Sequence, residues 1–74
     1  MSCTAYQLKM ALIANGDFDA VGAAVADDQA ALIAWQNALT FSRNGNAFAS
    51  ISGIMGWNDD YMDALFEAAM IIEE

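Results

Sequence analysis

The sequence contains no histidine, no proline, one cysteine and only two basic residues among its 74 positions. Each absence removes a class of explanation. Without histidine, the side chain that titrates nearest neutral pH is missing, so acid–base catalysis would need a carboxylate displaced by burial. With Cys3 alone, no internal disulfide can form, and a structural zinc site of the usual Cys and His kind cannot be built. The unpaired thiol fits a reducing compartment, or a protein that needs no disulfide. No proline stiffens a loop. Lys9 and Arg43 are the only cations against ten acids, giving a formal charge of −8. Phosphate backbones and anionic lipid surfaces repel such a chain, so neither nucleic acid nor membrane is expected as a partner. No uncharged apolar run reaches the ~18 residues that span a bilayer. The longest uncharged stretch, Asn44 to Asn58, is rich in Asn, Ser and Gly. Lys9 interrupts the one stretch that could serve as a secretory signal, so no targeting segment is expected.

What is present is apolar: 58% of the residues, with alanine prominent. The length allows one domain at most, residues 1–74. A domain of this size buries about 60–65% of its unfolded surface, and its single core supplies about 3–5 kcal/mol. So high an apolar content should leave apolar surface uncovered after folding, available to a partner or to a second copy of the chain.

Helical patterns dominate, and five segments can be separated. The first, about Thr4 to Ala14, has Thr4 as N-cap and an apolar stripe of Leu8 and Leu12 joined by Ala5 and Ile13. Asn15-Gly16 ends it, the glycine supplying the left-handed conformation of a C-cap. Asp17 caps a second segment, about Phe18 to Ala26, whose inward face is Phe18, Val21 and Val25. Asp27 or Asp28 caps a third, running to about Ser42, with Leu32, Trp35 and Leu39 inward and Ile33 widening the stripe. Asn44-Gly45-Asn46 is the clearest break. A fourth segment, about Ala47 to Met55, carries Phe48, Ile51 and Ile54 and closes at Gly56. Asn58 caps the fifth, Asp59 to about Ile72, with Asp59 and Asp60 in the first turn where the helix dipole favours them. Trp57 and Met62 have the spacing of a hydrophobic staple across that cap. No strand pattern competes. The expected fold is all-α, a compact bundle of four to five short helices. Its expected core is Leu8, Leu12, Phe18, Val21, Val25, Leu32, Trp35, Leu39, Phe41, Phe48, Ile51, Leu65, Phe66 and Ile72.

Few residues could carry chemistry. Asp27-Asp28 and Asp59-Asp60 are adjacent acid pairs, but both read as exposed helix starts that serve as caps. Cys3 has no histidine to activate it, so the inert reading is favoured. Asp17, Asp19, Gly22 and Asp28 fall at positions 1, 3, 6 and 12 of a calcium loop. Val21 holds position 5, however, and Asp28 stands where Glu is expected. No enzyme activity, cofactor or metal is therefore expected. Arg43 either compensates a helix dipole or pairs with Asp60, Asp63 or Glu67, tying the third segment to the fifth; the pair is the reading adopted. The aromatics are mostly core material. As partner-binding candidates we take Trp57, Phe48, Met55 and Met62, with Trp57 first because tryptophan is over-represented among interface anchors.

The second half also resembles a family of very short proteins encoded by tailed bacteriophages and prophages, often near tail-fibre genes. The resemblance is carried by Trp35, Ala38, Phe41 and Arg43, then by Ile51, Ile54, Met55, Gly56 and Trp57. It ends in Asp59, Asp63, Ala64, Leu65, Phe66, Ala68 and Ala69, and covers about the last 40 residues. Asn46 stands where the family often has proline, and Trp57 where it often has leucine; both changes keep the helix breaks. The resemblance implies a phage origin and a structural or adaptor role in the virion, at the tail or its fibres. The implied partners are other phage structural proteins or a second copy of the chain. The alternative is a small acidic inhibitor of a host nucleic-acid-binding or defence protein, its ten acids imitating phosphates. An adaptor should display an apolar patch, a mimic a continuous acidic one.

Overall fold

The computed structural model describes residues 1–73. The chain is 68% helical, with five helices and one small two-stranded sheet. In order these are β1 (Ser2–Thr4), α1 (Ala5–Asn15), α2 (Phe18–Val25), α3 (Gln29–Asn37), β2 (Thr40–Ser42), α4 (Asn46–Met55) and α5 (Asp59–Met70). The all-α class is therefore right, while the expectation of no strand is not.

The caps account for most of the boundaries. Thr4 Oγ1 accepts from the Gln7 backbone N–H at 3.1 Å, and the Thr4 N–H donates to Gln7 Oε1 at 3.0 Å. This reciprocal capping box satisfies two donors at the start of α1. Gly16 (φ +80°) and Gly56 (φ +69°) take the left-handed conformation that ends α1 and α4. Asp28 caps α3 through the Ala31 N–H at 3.0 Å, and Asn58 caps α5 through the Tyr61 N–H at 2.8 Å. Asp17 departs from expectation. It precedes α2, but its side chain makes no capping bond.

α3 ends five residues earlier than its pattern suggested, because Ala38 turns extended (φ −68°, ψ 130°). The chain then runs as β2, antiparallel to β1, with Ser2 opposite Ser42, Cys3 opposite Phe41 and Thr4 opposite Thr40. Bonds from Ala5 N–H to the Leu39 carbonyl (2.9 Å) and from Arg43 N–H to the Met1 carbonyl (2.8 Å) extend the ribbon at both ends. Alternation decides which side chains go inside. Phe41 and Cys3 are buried, whereas Leu39, expected in the core, is 85% exposed.

α1 and α5 run antiparallel. The Gln7 amide donates to the Ile72 carbonyl (2.8 Å) beside the start of α1, and Tyr61 near the start of α5 donates to Asp17 beyond the end of α1. α3 packs on α4, and α2 bridges α1 and α4. The shared core contains ten of the expected residues: Leu8, Leu12, Val21, Val25, Trp35, Phe41, Phe48, Ile51, Leu65 and Phe66. It also contains Cys3, Ala11, Ala31 and Ala69, which allow close approach of neighbouring elements. Phe18, Leu32 and Ile72 sit half-buried at its margin. Ile13 and Ile33 point outward.

Candidate docking surface

The expected aromatic anchor region is mostly interior. Phe48 is 1% exposed, edge-on to Phe66 (centroids 4.7 Å apart, 85°) and stacked under Trp57 (6.0 Å, 29°). It has no face left for a partner, so Phe48 is a core residue rather than the docking residue expected. Trp57 is half-buried between Phe48 and Tyr61, its ring 5.0 Å from that of Tyr61. Met55 and Met62 are also half-buried against the core. These three form the rim of the core, with little accessible area of their own.

Arg43 holds β2 to α5. Its Nε donates to Asp63 Oδ1 at 2.9 Å and its Nη2 to Asp59 Oδ1 at 3.1 Å. These bonds, that to Asp63 foremost, hold the guanidinium proton more firmly than usual. The partners differ in part from expectation. Asp59 and Asp63 are four residues apart and so share one helix face. Asp60 is turned about 100° away from Asp59, and Glu67 lies one further turn, ~6 Å, down the axis. Neither Asp60 nor Glu67 pairs with Arg43. The other cation is also engaged: Lys9 Nζ lies 4.8 Å from the centre of the Trp35 ring.

Two further titratable groups, Tyr61 and Cys3, are shifted by burial. Tyr61 Oη donates to Asp17 Oδ2 at 2.5 Å, joining α5 to the α1–α2 corner. Partial burial, then this bond, raises the Tyr61 pKa above its ordinary value. Burial pushes the Cys3 thiol up to about 11. The segment 17–28, considered above as a calcium loop, is helix α2 with its flanks; Val21 is buried and Asp28 is occupied as a cap. Among the described residues no three His, Cys, Asp or Glu side chains converge as metal ligands would. Among the described residues no helix is long and apolar enough to cross a membrane.

The accessible apolar surface lies elsewhere. Tyr6, Met10 and Ile13 are spaced four and three apart and form one exposed stripe along α1, with Tyr6 51% and Ile13 53% accessible. Met10 lies about 200° around the helix from buried Leu8, so α1 is apolar on two opposite faces. The stripe ends at a notch of about 130 Å³ lined by Ile13, Gly16, Phe18 and Asp19. Met70 and Ile71, also exposed, close the C-terminal end of α5 beside the start of α1. The sequence did carry a signal for this surface. Residues 6, 10 and 13 repeat the helical period as cleanly as 8 and 12, whereas the expected face joined Ile13 and Ala5 to Leu8 and Leu12.

Compared with family models, curated proteins and solved structures, the chain matches none.

Proposed function

We propose that this chain is a non-enzymatic docking protein, a structural or adaptor component of a tailed-phage particle at its tail or fibres. The observation that supports docking is the second apolar face of α1. A helix that is apolar on both sides is ordinarily covered on both sides, and here one is open to solvent. The non-enzymatic reading is supported by the shifted groups. Cys3 and Tyr61 are both driven to higher pH, away from the range in which a nucleophile or general base acts near neutrality. The phage and tail assignment rests on the resemblance of the last 40 or so residues. Particles purified from an infected or induced host should contain the chain in a fixed copy number related to tail symmetry, read by quantitative mass spectrometry. Its absence from such particles would overturn the assignment.

A second reading, the acidic inhibitor of a host nucleic-acid-binding or defence protein, is favoured by one observation. Both cations are engaged within the chain, which leaves exposed acids such as Asp27, Asp60 and Glu67 unbalanced. That reading predicts production early in infection and binding that weakens steeply with salt.

A further inference from the structure

We propose that the Tyr6–Met10–Ile13 face of α1, with the notch at its end, docks an amphipathic helix of a basic partner, one of whose Lys or Arg side chains enters the notch toward Asp19. The inference deepens the docking part of the proposed function and is independent of where in the cell or particle docking occurs.

Three observations fix the occupant. The first is geometric. Tyr6, Met10 and Ile13 make a continuous apolar row, and Ile13 also forms a wall of the notch, so row and notch are one surface. At 1.5 Å per residue the row from Tyr6 to Ile13 spans ~10 Å, two turns of a helix laid alongside, and the notch lies at its end where the chain turns into α2. The second is the chemistry of the notch. Its walls, Ile13 and Phe18, are apolar, and its rim carries the Asp19 carboxylate, which has no hydrogen bond or ion pair among the described residues. A lysine or arginine side chain has the same division, an apolar stem and a cationic head. The volume equals that of about four waters, enough for one such side chain. The third is charge. A second copy would bring another −8 to the same face, and like charge opposes that pairing. The cation nearest the row, Lys9, is folded against Trp35. Among the described residues Asp19 at the notch makes no ion pair, and at the other end Glu73 follows Ile72, whose carbonyl accepts from the Gln7 amide next to Tyr6. Apolar centre and acidic ends complement a helix with an apolar stripe flanked by Lys and Arg.

The test is a titration of the ¹⁵N-labelled full chain with a synthetic amphipathic helix of about 14 residues, leucine at the helical period and lysine elsewhere, followed by amide shifts. A glutamate-for-lysine version is the control. Shifts should concentrate at residues 6–19 with the lysine peptide and be absent with the glutamate peptide. Ile13→Ser should weaken binding at least about tenfold, by loss of an anchor at the centre of the contact. Asp19→Asn should weaken it about threefold, as for one rim charge. Both positions are exposed, so an unchanged spectrum outside residues 6–19 certifies the fold of each variant. Shifts centred on Asp59, Asp60 and Glu67 would overturn the proposal, as would equal binding of the glutamate peptide. Concentration-dependent shifts of the α1 stripe without peptide would overturn it in favour of a second copy. A chain missing from phage particles would sink the virion assignment and leave this result untouched.

Discussion

Single side chains in this protein set boundaries more than they set chemistry. Asn58 is the clearest case: exposed, with one role, accepting the Tyr61 N–H at 2.8 Å. Asn58→Ala should lower stability by ~1 kcal/mol and the melting midpoint by ~4–8 °C, measured by circular dichroism. Asp17 shows how a cap residue is diverted. Its carboxylate is taken by the Tyr61 hydroxyl from the far end of the chain, so α2 starts without side-chain capping. Local sequence could not reveal that competitor, 44 residues away. Burial of Tyr61 and Cys3, aided at Tyr61 by this contact, makes the fold sensitive to alkali. Cys3 and Tyr61 both bind their protons more tightly folded than unfolded. Their contribution is complete below the unfolded values, 9.0 for the thiol and 10.0 for the phenol, and is lost as pH rises through the higher folded values. Urea midpoints should thus hold level to about pH 9 and then fall. Tyr61→Phe should start from a lower midpoint, having lost the bond to Asp17, and fall less steeply above pH 10.

At the scale of elements, the β1–β2 ribbon separates two readings of one stretch. Read as the end of a helix, residues 38–42 put Leu39 in the core; paired with β1, they put Phe41 there instead. The exposures are 85% for Leu39 and 1% for Phe41. Leu39→Ser should therefore change stability by no more than ~0.5 kcal/mol. Phe41→Ala should cost ~3–5 kcal/mol, comparable with the whole stability of so small a domain, and leave the chain largely unfolded. Urea unfolding of the two variants checks both, and a large loss in Leu39→Ser would restore the helical reading. The helices themselves were legible wherever a cap and a break coincided, as at Thr4, Gly16, Asp28, Gly56 and Asn58. The ribbon was not legible. Each of its strands is three residues long, too short for alternation to register.

The whole molecule exposes 4309 Å², close to the ~4,400 Å² expected of a monomeric protein of its mass. What the fold leaves open is a stripe rather than a missing wall of the core. Light scattering should return a monomer at low and high salt, and the chain should bind a hydrophobic dye. Ile13→Ser should reduce dye fluorescence without moving the unfolding midpoint, because Ile13 is already exposed. An oligomer that persists in high salt would point to self-association through apolar surface.

Sequence alone determined the helical class, all five helix starts to within one residue, and most of the large core residues. These depend on contacts within about four positions, where caps, glycine conformation and helical period act. Only the tertiary structure decided three other things: the pairing of Cys3 with Phe41, the choice of Asp59 and Asp63 over Asp60 and Glu67 for Arg43, and whether Ile13 joins the inward face of α1 or the open one. The last has a simple cause. Both faces of α1 satisfy the same period, and the choice between them is made by the packing of α2 and α5, elements whose positions no local pattern encodes.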